Sequence, residues 1–264
     1  MDYSQYTNLE VTKDQNVLTI AFNRPDAMNA INDAVHKELV SIFPQVNQDD
    51  EIDIIILTGN GNAFCAGGDL EMLRDQHRDA VATSKGIHQD RILQNAILDL
   101  EKPMIAKVNG PAVGLGCSLA LFCDFVYATP KSQFADPHVT VGLVAGDGGS
   151  YLWPMLVGYA RARKYLLTGA FVDGQTAAEI GLITEVVEED QLDETVAKTV
   201  KKLLNTPKYA VRWTKASINA GLKVTADAVI DVSAAFENVS MFMEDHKIAV
   251  EAMMERAKPK LTGK

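Results

Sequence analysis

A histidine and two aspartates lie close together in one short stretch of the chain. Asp136 and His138 flank a proline, and Asp147 follows within a glycine-rich segment, residues 142–149. A carboxylate beside an imidazole holds one tautomer and raises the basicity of the ring, as in many general bases. The glycines predict that Asp147 stands on an exposed turn near a substrate. We therefore expect Asp147 and His138 to be catalytic acid/base groups.

Each of these two residues also has a purely structural interpretation. Asp147 could cap a helix that begins near Ser150, because a carboxylate readily accepts hydrogen bonds from the first N–H groups of a helix. His138 could be a hydrogen-bonded loop residue. The sequence leaves both alternatives open.

Two glycine-rich segments, residues 60–70 and 110–118, each follow a predicted strand and open a helix. Glycine lets the backbone approach a ligand closely. The first N–H groups of a helix have no partner within it, so they point at any oxygen placed there. Two such N–H groups aimed at one oxygen form an oxyanion hole. One loop alone fits a simple tight turn equally well, but its repetition favours a ligand site.

The surrounding pattern predicts the elements that would position these groups. Asn32 is expected to cap a helix with apolar residues at helical spacing. Strand, glycine turn and buried helix occur twice, which predicts an α/β fold built from repeated ββα units. Residues 1–190 would form this core, and residues 191–264 an amphipathic helical layer. The predicted strands cover residues 9–11, 17–22, 52–58, 103–109 and 125–128.

Three segments in this order, residues 23–30, 63–70 and 109–116, resemble the signature segments of the enoyl-CoA hydratase/isomerase (crotonase) family. The likeness continues into the helical tail. It implies the crotonase fold, in which ββα units form a spiral core, and an acyl-CoA substrate with no separate cofactor. It also implies that the thioester oxygen binds between the backbone N–H groups of Gly68 and Leu115.

The resemblance further implies contacts with CoA and an assembly. Adenine would be recognised along residues 66–70, and a surface salt bridge is the alternative role for Arg24. Residues 191–264 would mediate a homotrimer or a pair of trimers. The residues assigned to CoA binding are Arg24, Ala27, Met28, Ala66, Gly67, Asp69 and Leu70.

Two positions depart from typical hydratases, which carry glutamates where this chain has Ser118 and His138. Water addition to a C=C bond uses paired carboxylates, and a serine hydroxyl has no useful basicity near neutral pH. Asp147 falls within one residue of the acidic group of enoyl-CoA isomerases. The segment from Asp136 to Asp147 is also similar to 6-oxocamphor hydrolase, a β-diketone C–C hydrolase, whose second histidine has no counterpart near Leu115.

The leading hypothesis is an acyl-CoA enzyme of the hydratase/isomerase class, in which Asp147, with or without His138, moves the proton on the α-carbon. The alternative reaction is hydrolytic C–C cleavage of a β-diketone by a water that His138 and Asp147 activate. A third alternative is non-catalytic RNA binding, but such proteins carry a basic patch and the lysines here are scattered.

Composition limits the partners. A net charge of −10 and a pI near 5.0 argue against nucleic acid or an anionic membrane as the main partner. The scattered histidines and the lack of a paired-cysteine motif predict no metal site. Cys65, Cys117 and Cys123 are expected to be buried free thiols in a reducing cytoplasm. Residues 1–16 lack the layout of a signal peptide.

Overall fold

The computed structural model describes residues 1–76 and 79–264, and strands alternate with helices as the sequence predicts. The strands are β1 (Leu9–Asp14), β2 (Val17–Phe22), β3 (Ile54–Gly59), β4 (Met104–Val108), β5 (Ala112–Val113), β6 (Phe125–Ala128), β7 (Gln133–Ala135), β8 (Val172–Asp173) and β9 (Glu185–Val186). The α-helices are α1 (Asp33–Gln48), α2 (Leu70–Gln76), α3 (Ala80–Leu98), α4 (Leu115–Leu121), α5 (Gly149–Thr168), α6 (Gly174–Glu179), α7 (Leu192–Leu204), α8 (Lys208–Met241) and α9 (Glu244–Met254).

The strands form two sheets. The large sheet has the order β1-β2-β3-β4-β6-β9 and is parallel except for the β1–β2 pair, while β5, β7 and β8 form a small sheet. Successive units contribute one strand to each sheet and then a helix, as in β4-β5-α4 and β6-β7-α5. This repetition confirms the predicted α/β fold of ββα units.

Helix α1 shows how local sequence produces these elements. The Asn32 side chain accepts a hydrogen bond from the Val35 N–H at 3.0 Å, so the predicted cap is present. Val35, Leu39 and Ile42 recur at helical spacing and are buried in the main core. The apolar face of α1 therefore fixes the helix against the rest of the chain.

The C-terminal helices pack on the chain's own core. Helix α8 contacts α3 and α5, and α9 contacts α2 and the 3₁₀ helix His138–Val141. The Arg212 guanidinium near the start of α8 donates to the Ile52 carbonyl at 2.9 Å. Met241 is buried, whereas Phe242, Met253 and Met254 are partly exposed. The helical layer thus reaches the histidine that the sequence singles out.

Among the described residues, no helix has the length and apolar character needed to cross a bilayer.

Lys102 is a buried cation that joins α1 to the start of β4. Its side chain is 1% exposed, and its Nζ donates to the carbonyls of Val46 and Asp49 at the C-terminal end of α1. A cation is favoured there because the last carbonyls of a helix lack partners and carry partial negative charge. Burial lowers the pKa of Lys102 to about 8.

We expect Lys102→Met to lower the free energy of unfolding by about 1–3 kcal/mol, because it removes two buried hydrogen bonds that the amine donates to the Val46 and Asp49 carbonyls. Urea unfolding measures this change. Lys37→Met, on the exposed side of α1, is the matched control and should have little effect. Equal stability of the two variants would mean that the buried amine contributes nothing to the fold.

Candidate active site

The two glycine loops touch each other through their backbones. Gly67 and Gly114 both have positive φ, 88° and 55°. A Cβ on Gly67 would lie 2.7 Å from the Val113 carbonyl oxygen and 3.6 Å from the Gly114 Cα. A side chain would therefore separate the loops, so glycine is required at Gly67 both for its conformation and for this contact.

The N–H groups that follow these glycines are available. Gly68 pairs with Ile31, but the bonds run from Ile31 N to Gly67 O (2.7 Å) and from Asp69 N to Ile31 O (2.9 Å). Leu115 is the first residue of α4. Within residues 1–76 and 79–264, neither the Gly68 N–H nor the Leu115 N–H donates a hydrogen bond. The predicted oxyanion pair thus consists of two unused donors on touching loops.

The residues assigned to CoA form one connected surface. The Ala66 N–H donates to the Met28 carbonyl at 3.0 Å, which joins the two segments. Arg24 NH1 lies 3.2 Å from Asp69 Oδ2, so the salt bridge considered for Arg24 is present. Half of the Met28 side chain is exposed, and Leu70 begins α2. Their contact with CoA stays a prediction.

His138 lies between two carboxylates. Its Nδ1 is hydrogen-bonded to Asp136 Oδ1, and its Nε2 is 3.4 Å from Asp147 Oδ2. The other Asp147 oxygen, Oδ1, accepts a hydrogen bond from the Ser118 hydroxyl at 3.0 Å. A Cβ on Gly114 would lie 3.7 Å from His138 Cε1, so this polar cluster is next to the second glycine loop.

One alternative role of Asp147 and one expectation about its environment are wrong. Helix α5 is capped by Gly148 without any side-chain hydrogen bond, so Asp147 is not its cap. The turn is not exposed either, because Asp147 is only 4% accessible. Gln94 of α3 closes this loop: its Nε2 donates to the Gly146 carbonyl at 3.2 Å, and its Oε1 accepts from the Tyr151 hydroxyl at 3.0 Å. The loop is thus packed between helices.

The pKa values in the cluster follow from burial and neighbouring charge. Burial disfavours charge on His138, but the carboxylates of Asp147 and Asp136 outweigh it and raise the pKa of His138 well above its ordinary value. Burial raises the pKa of Asp147 to about 6, although the His138 charge and the Ser118 hydrogen bond oppose this shift. Near neutral pH an imidazolium therefore faces an ionised Asp147.

The same three side chains offer ligand atoms that lie within 4.8 Å of one another. Asp136 faces Nδ1, however, and Asp147 faces Nε2. The two ring nitrogens point in different directions, whereas a metal ion needs its ligand atoms to converge at about 2.0–2.2 Å. Each ring nitrogen of His138 faces one carboxylate, so the arrangement suits a proton on each nitrogen.

Sequence reasoning missed Glu237, which comes from α8. Its carboxyl lies against Gly146, where a Cβ would be 2.0 Å from Glu237 Oε2. The available signal was an acidic residue within the buried stripe of an amphipathic helix, since Ile230, Ser233 and Met241 are buried on the same side. It also missed that Ser118 and Asp136 bond directly to the predicted pair.

A groove of about 480 Å³ opens elsewhere, between the large sheet and α7. Val17, Ile56 and Lys107 line it from the sheet, and Val196 and Val200 line it from α7. None of the cluster residues contributes to it. The chemistry of the side chains therefore locates the candidate site better than the size of this groove does.

Comparison with known proteins agrees with this fold. The family model described as enoyl-CoA hydratase/isomerase matches residues 12–264. The chain is 32% identical to a crotonyl-CoA hydratase of Syntrophomonas wolfei over 98% of this chain and 99% of that protein. It is 32% identical to a 1,2-epoxyphenylacetyl-CoA isomerase of Escherichia coli over 95% and 97%.

Solved structures give the same result. A crystal structure of an enoyl-CoA hydratase/isomerase from Mycobacterium paratuberculosis superimposes with a TM-score of 0.91 at 37% identity, covering 94% of this chain and 99% of that one. The fold is thus that of the crotonase enzymes, spanning nearly the full length of both chains. The chain belongs to the enoyl-CoA hydratase/isomerase family.

Because Asp147 is buried with a raised pKa, its ionisation destabilises the folded protein. Stability associated with this carboxyl is present below the unfolded value of 3.8 and is lost as the pH rises to about 6. We expect Asp147→Asn to gain stability over the wild-type protein across this range, by on the order of 1–3 kcal/mol. Urea unfolding at pH 4.5 and 7.5 measures the difference.

The control is Asp227→Asn, which removes an exposed carboxylate from α8. Its stability relative to the wild-type protein should not change between the two pH values. If Asp147→Asn behaves in the same way, the Asp147 carboxyl does not titrate in this range.

Proposed function

We propose that this enzyme binds an acyl-CoA ester and stabilises the enolate of its thioester between the N–H groups of Gly68 and Leu115. The observation that carries the proposal is the direct contact of the two glycine loops beside Asp147 and His138. Two unused donors on a rigid backbone suit charge that develops on the thioester oxygen, and each such donor typically contributes about 2.7–4 kcal/mol.

The acid/base group in this proposal is Asp147. Polarising the thioester acidifies the α-carbon, and an ionised carboxylate with a pKa of about 6 is well matched to accept that proton near neutral pH. Ser118 orients the carboxyl through its hydrogen bond to Oδ1. The Oδ2 atom remains for the substrate and for His138. CoA is part of the substrate, so the chain's own groups supply this chemistry.

In this scheme, His138 contributes a positive charge and does not act as a base. An imidazolium whose two N–H groups face Asp136 and Asp147 has no free lone pair, so it cannot deprotonate a water. Its charge instead keeps the Asp147 pKa lower than burial alone would set it. This argument favours the hydratase/isomerase class over hydrolysis of a β-diketone, which needs a histidine base.

The relatives support an acyl-CoA substrate. The Syntrophomonas protein is named for crotonyl-CoA and the Escherichia protein for 1,2-epoxyphenylacetyl-CoA, so both names carry a CoA ester. In this chain, the connected surface formed by residues 24–28 and 66–70 would hold the CoA moiety. The exposed Met28 side chain is available for apolar contact with adenine.

We expect Asp147→Asn to lower kcat by roughly 10²–10⁴-fold with little change in affinity for the CoA ester. The carboxylate accepts the α-carbon proton in the transition state and contributes little to binding of the ground state. In the wild-type protein the rate should rise with pH through about 6, since only the ionised carboxylate accepts a proton. His138→Ala should move this midpoint to higher pH, because the opposing positive charge is lost.

The measurement is the pH dependence of turnover with crotonyl-CoA, a 3-enoyl-CoA and a cyclic β-diketone in parallel. His88→Ala, an exposed histidine on α3, is the control and should leave the profile unchanged. Near-normal turnover in Asp147→Asn would refute the proposed role. Turnover of the cyclic β-diketone, and of neither CoA ester, would instead identify the enzyme as a C–C hydrolase.

The exposed side of α8 supports the proposed trimeric or hexameric assembly. Val232, Phe236 and Val239 follow one another at helical spacing and are 55%, 61% and 60% exposed. Contiguous apolar stripes of this kind usually mark protein–protein contacts. A second copy of the chain is the partner that the family resemblance implies.

We expect the wild-type protein to be a trimer or hexamer in light scattering, and Phe236→Lys to shift the distribution towards smaller species. A buried, unpaired lysine is costly at a packed interface. Exposed Lys37→Met is the control and should leave the mass unchanged. A monomeric wild-type protein at micromolar concentration would contradict the assembly.

A further inference from the structure

Glu237 is a buried acid that the proposed chemistry does not yet use. It belongs to the inward stripe of α8, between Ser233 and Met241, and is 6% exposed. An acidic side chain that is largely removed from water is costly, so its retention in a stable helix requires an explanation.

The Glu237 carboxyl lies directly against the Asp147 loop. The position that a Cβ on Gly146 would occupy is 2.0 Å from Glu237 Oε2. With the carboxyl in this position a side chain at residue 146 would displace it, and Gly146 is the neighbour of Asp147 in the chain. Two acids from distant segments therefore meet at one loop.

Burial acts on the pKa of both acids. Burial raises the pKa of Glu237 well above its ordinary value, and the carboxylates of Asp90, Asp147 and Asp136 act in the same direction, whereas His138 opposes them. Burial also raises the pKa of Asp147, to about 6. Two neighbouring acids, one ionised and one neutral, are the states that a base and an acid require.

We propose, on the basis of the function proposed above, that Glu237 is the second acid/base group of the site and gives this enzyme a hydratase activity. In the dehydration direction, Asp147 accepts the α-proton of a 3-hydroxyacyl-CoA and the C–H electrons form the C=C bond. The C–O bond at the β-carbon breaks, and Glu237 donates its proton to the leaving hydroxyl to form water.

This step balances without any further reactant. It converts ionised Asp147 and neutral Glu237 into neutral Asp147 and ionised Glu237, and a proton that returns from Asp147 to Glu237 resets the site. Hydration of an enoyl-CoA is the same step in reverse. The carboxylate pair that hydration uses, which the sequence lacks at Ser118 and His138, is then supplied by residues 147 and 237.

Two reactions distinguish the role of Asp147 from that of Glu237. Deuterium exchange at the α-carbon of butyryl-CoA in D₂O requires only the enolate and Asp147. Hydration of a panel of short-, medium- and long-chain enoyl-CoA esters requires both acids. We expect Glu237→Gln to retain exchange within about twofold and to lose hydration by roughly 10²-fold or more. Asp147→Asn should lose both reactions.

Two controls make the outcome decisive. Asp227→Asn on the same helix should keep both reactions, and circular dichroism should show that every variant is folded. Hydration by Glu237→Gln at the wild-type rate, or an equal loss of both reactions, would overturn the role of Glu237. Exchange without hydration in the wild-type protein would overturn this role alone. Absence of exchange in the wild-type protein would instead overturn the proposed function.

Discussion

A protonated imidazole held between two buried carboxylates is the interaction on which the site depends. Removing charges from water costs several kcal/mol for each ion, and only close opposite charges compensate for that cost. His138 contacts Asp136 on one side and faces Asp147 on the other, so it neutralises part of the negative charge. Without the histidine, Asp147 would lose the charge that opposes the effect of burial on its pKa. The identity of residue 138 therefore acts together with burial on the basicity of residue 147.

Two of the glycines near Asp147, Gly146 and Gly149, have a different purpose from the one that the sequence indicates. A Cβ on Gly149 would lie 1.7 Å from Asp136 Oδ2, and one on Gly146 would meet Glu237. These positions lack side chains because carboxyl groups occupy the space. Glycine at a close approach and glycine at an exposed turn look the same in a sequence. The environment of Asp147, buried instead of exposed, could thus not be read from its neighbours.

The fold and much of the site were predictable because their signals are local. Periodicity, the Asn32 cap and the glycine loops each depend on a few neighbouring residues, and the structure confirms the elements they predict. Glu237 was not found, because a single acid in a long amphipathic helix has no short-range motif. Its partner loop around Gly146 lies in another part of the chain. Only tertiary packing of α8 on the core brings the two together.

The glycine loops and the acidic side chains of the site differ in how well they tolerate substitution. The glycine loops touch through backbone atoms, so any side chain at Gly67 would separate them, and their geometry is fixed by the fold itself. The proposed acid/base groups come from side chains on a loop and on α8. In the proposed mechanism, a different reaction needs different acids around the same two N–H donors. Ser118 and His138 fit this view, since each faces Asp147 and neither is the glutamate that the family resemblance implies at its position.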